Sequence, residues 1–314
     1  LVLACSLFRQ KLQIAAIAFV GMLFPYTEAW KTHISVGQYY LLVPVALMLC
    51  YVLLHQRKTY ACIGFAVVGV LLVLIRPIAG VFFLPLLFCY PLYKAPVRWL
   101  AGAGLLYVLV VLALPFQRLL WVDYYYGVQQ QVKAHQGQPI ARVAYTPCPD
   151  YRNIEGFNLD ETMRNAQQAD FVYTETGNVH VLYEMALHKP MPMWCIGLLP
   201  FLLTATALLA YYLRHAKHGF NAYHACLLGF CLLMFFDVCA PVTRHQYNTV
   251  QWLFALLLLA ARPKLHLWTI LIALGFLLNL ANLPWMKMEH TIGEYLMLAG
   301  FLGLSMQPAK AATG

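Results

Sequence analysis

Residues 37–91 read GQYYLLVPVALMLCYVLLHQRKTYACIGFAVVGVLLVLIRPIAGVFFLPLLFCYP. Apolar runs near 36–54, 60–75 and 80–93 are parted by a basic turn, Arg57-Lys58, and by an Arg-Pro pair, Arg76-Pro77. A membrane-spanning helix needs about 20 apolar residues, so the stretch reads as consecutive spans. Some of these runs are short, and 60–93 therefore reads as a broken or re-entrant pair. Pro77, Pro85 and Pro91 predict kinks or helix starts within it.

The pattern continues on both sides, with further apolar segments near 12–25, 99–116, 192–213, 222–240, 247–261, 265–284 and 291–306. Composition agrees: 62% of the 314 residues are hydrophobic, 11% are charged, and the mean hydropathy is +0.66. A water-soluble domain carries roughly 25% charged residues, so this chain lacks polar surface to face water all round. The expected fold is all-α, a multi-pass transmembrane helical bundle with one large extracytoplasmic loop. It divides into helices over 1–116, a loop or cap over 117–190, and helices over 191–314. Leu1 to Phe8 reads as the end of a helix that begins upstream, because no small-residue cleavage site precedes Arg9, Gln10 and Lys11. Most of the nine cysteines lie inside apolar runs at no metal-ligand spacing, which predicts packing rather than a disulfide framework.

The net charge of +9 raises nucleic acid as a partner, but no basic face or aromatic-basic platform supports it. Position explains the excess better. Alternate turns carry Arg9/Lys11, Arg57/Lys58, Lys94/Arg98, Arg214/Lys217, Arg262/Lys264 and Lys310, with no Asp or Glu among them. All twelve acidic residues fall on or near the other side: Glu28, Asp123, Asp150, Glu155, Asp160, Glu161, Asp170, Glu175, Glu184, Asp237, Glu289 and Glu294. Positive turns stay cytoplasmic, so 26–35, 76–80, 241–247, 284–291 and the long 117–190 segment share the outer side. That segment is too long for an idle connection. It contains DETMRNAQQADF, where an amphipathic helix is plausible.

Three groups of polar residues stand at the outer boundary. In HISVGQYYLLVPVAL, Gly37 and Gln38 open a span, where free backbone N–H groups favour an anion or a sugar hydroxyl. Tyr39 or Tyr40 would stack on a sugar; an ordinary helix cap with interfacial tyrosines accounts for the same residues. In LVLIRPIAG, Arg76 is an ionisable residue in an apolar stretch, which makes it a functional candidate. Its planar fork suits phosphate, although a snorkelling helix-end Arg would look alike. In FFDVCAPVTRHQYN, Asp237, Arg244, His245, Gln246 and Asn248 crowd one helix–turn–helix junction. Arg244 and His245 would form a second anion clamp, and Asp237 could pair with Arg244. His33, His180, His224 and His290 share no metal spacing and read as surface or packing residues; no metal site is expected. No Walker loop, GxSxG, HExxH or GxGxxG motif is present.

The 37–91 stretch resembles the core of the family-87 glycosyltransferases, polyprenol-phosphate-mannose-dependent α-mannosyltransferases of GT-C type. Gly37-Gln38, Arg57-Lys58 and Arg76-Pro77 stand where that family has its Gly-Gln pair, basic turn and basic-Pro pair. APVTRHQYNTVQWLFALLLL is similar to its later outward turn. Tyr40 stands where the family often has Asn, and Arg76 where it usually has Lys. The resemblance implies a hexosyltransferase of the plasma (inner) membrane that uses a polyprenyl-phosphate sugar and a lipid or glycan acceptor, with no cofactor and no nucleic acid. Arg76, Arg244 and His245 would bind the donor phosphate; Gln38, Tyr39, Tyr40 and Asn248 would bind substrate. The family's catalytic Asp sits on a loop that would precede Leu1, so the base is unassigned, with Asp237 the one acid inside a candidate cluster. A polysaccharide ligase or polymerase and a multi-pass transporter are the competing expectations.

Overall fold

The structure, a computed structural model, describes residues 11–36, 39–56, 58–135, 177–189, 191–240, 246–261, 266–280 and 288–307. Among the described residues the chain is all-helical, with no strand. The central element is helix Ala222–Val238, in which every residue except His224 and Phe236 is buried. A helix apolar all round belongs in an interior. Asn221 starts it by accepting a hydrogen bond from the His224 backbone N–H at 2.9 Å, an N-cap that satisfies one of the free donors of the first turn.

Around this axis lie the 77–87, 193–215, 253–260 and 289–305 helices. The nearest approach is by 77–87. A Cβ added at Gly229 would overlap the Phe82 carbonyl, so only glycine lets these backbones touch. Helices Leu267–Leu280 and Glu289–Ser305 pack equally closely through Gly275 and Gly293, whose backbones leave no room for a side chain.

Proline punctuation shapes the hairpin expected over 60–93. Helix Thr59–Ile75 ends at Arg76, whose backbone is extended (φ −145°, ψ 93°). Pro77 then opens the 3-10 helix Pro77–Leu87. The residue before proline is driven out of the helical region by the pyrrolidine ring, which places the break at Arg76. The same rule breaks the chain at Leu114 (φ −98°, ψ 110°), between helices Lys94–Ala113 and Pro115–His135. The second of these helices runs into the segment expected as a loop or cap over 117–190. Its Trp121 indole donates back to the Tyr107 hydroxyl at 2.8 Å. The amphipathic helix expected at 160–171 lies outside the described residues.

Two described helices are long and apolar enough to cross a membrane, Lys94–Ala113 and Trp194–His215, each with a mean hydropathy of 1.8. The first is left largely bare, with Leu105, Leu106, Leu109 and Leu112 all more than half exposed. The other apolar segments form shorter helices than expected. Some are lengthened by 3-10 turns, which rise about 2.0 Å per residue against 1.5 Å in an α-helix. Gln246–Trp252 followed by Leu253–Ala260 makes a rod of about 26 Å on these rises.

The polar turns separate into two ends. At one, His55 lies against Tyr93 (ring centroids 6.0 Å apart), Phe88 against Tyr212 and Phe220, and the His215 Nε2–H donates to the Ser305 carbonyl at 3.0 Å. Lys58, Lys94, Arg98, Arg214 and Lys217 belong to these turns. At the other end helix Glu28–Val36 packs on Gln246–Trp252. There the Asn178 Nδ2–H donates to the Ala240 carbonyl (3.1 Å), and the Tyr295 hydroxyl donates to Gly177 (2.7 Å).

Candidate functional site around Arg76

Arg76 belongs to this second end, held in place by its own backbone. Its N–H donates to Leu72 (2.9 Å), and its carbonyl accepts from Ala79 (2.8 Å), so the break is hydrogen-bonded on both sides. The side chain reaches across the bundle. Nη2 donates to Oδ1 of Asp237 in an ion pair, and Nη1 donates to Oε1 of Gln251. The Tyr40 ring covers the guanidinium from 5.5 Å, a cation–π distance. Asp237 is 5% exposed and Arg76 13%.

Three other segments, Tyr39–Leu41, Ala222–Val238 and Gln246–Trp252, therefore converge on one guanidinium. Its opposite charge is already present, so the ion pair is closed within the protein. Asp237 and Gln251 use two of the five guanidinium N–H donors. The remaining donors and a small exposed edge are what an incoming group would meet.

Gln251 is fully buried, and its Nε2–H donates to the Asn248 carbonyl at 3.0 Å. The same short helix has a second polar face. Glu294, buried on helix Glu289–Ser305, accepts from the Thr249 hydroxyl and from the Trp252 indole (3.2 Å). Gln246–Trp252 thus links the Arg76 group on one side to a buried carboxylate on the other.

Of the residues singled out in the sequence, Arg76, Asp237 and Tyr40 meet directly, and Asn248 joins them through Gln251. Asp237 pairs with Arg76; its expected partner Arg244 falls on residues the structure does not describe. Gly37, Gln38, Arg244 and His245 lie outside the described residues, as does the side chain of Tyr39. Gln251, Thr249 and Glu294 were not singled out, because they fall inside the apolar segments 247–261 and 291–306. The signal was there: a Gln and a Glu inside such segments need partners.

His33 is also buried, at 4% exposure, on helix Glu28–Val36. Desolvation lowers its pKa from the ordinary 6.5, so it is kept neutral. Among the described residues no three His, Cys, Asp or Glu side chains converge as metal ligands. No family model matches the chain, and no curated protein or solved structure does so either.

Proposed function

We propose that this chain is a multi-pass membrane glycosyltransferase of GT-C type, moving a hexose, with mannose the first choice, from a polyprenyl-phosphate sugar to a lipid or glycan acceptor on the extracytoplasmic face. The observation that carries this reading is the convergence of Arg76, Asp237, Gln251 and Tyr40 at one end of an apolar bundle. A lipid-linked donor keeps its tail in the bilayer and presents its phosphate at the boundary. There Arg76 would offer its unused donors to the phosphate and stabilise the charge that grows as the sugar leaves. Asp237 and Gln251 would hold the fork in position. Tyr40 would close the apolar side of the site. An inverting transfer needs a carboxylate to take the acceptor proton; Asp237, tied to Arg76, serves as its orienter in this scheme.

The membrane half of the reading is supported by the bare apolar surface of Lys94–Ala113, which in water would be an aggregation surface. Grouping of the basic turns at one end and the acid-bearing segments at the other fits a cytoplasmic and an external side.

A second reading, a transporter, is favoured by one observation. A buried pair that neutralises itself at a helix break is also what a carrier uses to hold and release an ion or solute. The test is the protein in nanodiscs with radiolabelled polyprenyl-phosphate mannose and a lipid and glycan extract. Label is expected in a new product, abolished by Arg76→Ala and kept by His224→Ala, which alters the opposite end. Solute flux into proteoliposomes without any labelled product would replace the transferase by the carrier. Use of an assembled oligosaccharide donor alone would replace it by a ligase.

A further inference from the structure

Helix Lys94–Ala113 carries two chemistries along one face. At 3.6 residues per turn, Lys94, Arg98, Gly102, Leu105, Leu109 and Leu112 fall within about 40° of a single line down its side, and all six are exposed. The line opens on two cations. It then passes Gly102, where an added side chain would meet nothing within 4 Å, and ends on three leucines, each more than half exposed. Arg98 is held in place at the head of the line. Its Nε–H donates to the Tyr90 hydroxyl at 2.7 Å, and its guanidinium lies 5.8 Å from the Tyr90 ring. That uses one of five guanidinium donors; the Nη groups have no partner among the described residues. Among those residues neither Lys94 nor Arg98 has an ion-pair partner, and the first turn of the helix holds no acid.

We propose that this face binds one anionic phospholipid of the leaflet beside the basic turns, its phosphate on Lys94 and Arg98 and an acyl chain along Gly102, Leu105, Leu109 and Leu112. The proposal rests on the membrane reading and is independent of the transferase. Charge and length select the occupant. Phosphate meets the free end of the Arg98 fork through paired charge-assisted hydrogen bonds. A zwitterionic headgroup brings its own cation to a place that already has two; an anionic headgroup brings none. A soluble phosphate would leave the leucines bare, and an apolar partner helix would leave the cations unmatched. A lipid covers both. Arg98 to Leu109 spans about 16 Å at 1.5 Å per residue, and one leaflet of hydrocarbon is about 15 Å deep, half of a core of about 30 Å. The headgroup and the chain therefore reach their two ends of the line together.

The test is native mass spectrometry of the full chain in detergent micelles, titrated with phosphatidylglycerol or with phosphatidylcholine of the same chains. The expected result is one tightly bound phosphatidylglycerol and a weaker phosphatidylcholine. The Kd for phosphatidylglycerol should rise roughly fivefold in Arg98→Gln, equivalent to about 1 kcal/mol for one basic residue beside an anionic lipid. It should also rise in Tyr90→Phe, which keeps every charge and only releases the fork. Arg118→Gln, which removes an exposed cation from helix Pro115–His135, should leave it unchanged. Equal affinity for the two lipids would overturn the proposal. So would a Kd indifferent to Arg98→Gln or to Tyr90→Phe, or one that moves as much in Arg118→Gln, since diffuse attraction to net charge would then suffice. Displacement of the lipid by glycerol 1-phosphate would make the site one for a soluble phosphate, and a dimer that excludes the lipid would hand the face to a second copy; either overturns it. Flotation of the same protein with liposomes separates the two readings. A chain that stays out of the bilayer removes the membrane reading and this proposal together, whereas one that floats with lipid yet shows no preference removes this proposal alone.

Discussion

Breaking the Arg76–Asp237 pair tests the geometry of the site without assuming any activity. The variants are Arg76→Met, Asp237→Leu and the double. In Arg76→Met the carboxylate, only 5% exposed, is left in an apolar bundle with its cation gone, and Gln251 loses a donor as well. Removing one partner of a buried ion pair costs about 3–5 kcal/mol, and this variant belongs near the upper figure. Asp237→Leu is milder. The guanidinium keeps Gln251 and the Tyr40 face, and its 13% exposure gives it a path to water, so the cost falls near about 3 kcal/mol. In the double variant neither charge is stranded. Replacing both members of a buried pair by apolar groups is often neutral, and the expected cost is within about 1 kcal/mol of the parent. The coupling is then about 7 kcal/mol on these figures. Reversible unfolding by SDS in mixed micelles reads all four proteins. A double variant whose cost equals the sum of the singles would show that the two side chains do not share one site, and the reasoning would fall with it. A double variant that is stable but transfers no sugar would separate the structural from the chemical role of Arg76.

Gly275→Ala and Gly229→Ala insert a methyl group into a backbone contact and should each cost about 1–3 kcal/mol. Gly102→Ala and Gly104→Ala meet nothing within 4 Å and should be neutral or stabilising by up to about 1 kcal/mol; unfolding of the four variants checks both halves. His33, held neutral below its ordinary 6.5, makes the unfolded chain bind a proton that the folded one refuses. Its contribution is therefore whole above pH 6.5 and lost as pH falls, and the gap in Tm between pH 7.5 and pH 5 should narrow in His33→Phe. In intact cells a membrane-impermeant maleimide should label Leu187→Cys and not Lys217→Cys; the reverse pattern would invert the topology.

Helix positions were legible wherever a run of apolar side chains had to leave water, and the break at Arg76 was written in the proline that follows it; the break at Leu114 was missed, because the apolar segment was carried through Pro115 to 116. Helix Pro115–His135 was not legible. Its residues carry too few apolar side chains to mark it as buried, and most of those described are exposed, so nothing in the hydropathy separates it from a loop. The long apolar segments 36–54 and 247–261 gave no hint that each changes from a tighter to a looser helix, since 3-10 and α-helical turns bury the same side chains. At the site, the sequence marked Arg76 and Asp237 as charges in need of partners. It left their match open, because Arg244 lies closer along the chain, and only the bundle's topology joins residues 161 apart. Gln251 and Glu294 were hidden by the apolar segments around them.

The distance along the chain between Arg76 and Asp237 has a consequence for biosynthesis. On the membrane reading proposed above, Arg76 would enter the bilayer in a hairpin that holds no acid of its own. Its counter-charge follows 161 residues later, which at 5–20 residues per second is a wait of roughly 8–30 s. Throughout that interval the hairpin would carry an unmatched charge and would have to stay beside water or a chaperone. Ribosome-stalled chains that end before helix Ala222–Val238 should therefore be held in an unsettled state and cleared by membrane proteases, while those that extend past Gln251 become resistant together. On that reading the ion pair would act as a checkpoint, with the early half of the protein settling in the lipid only once the late half has arrived.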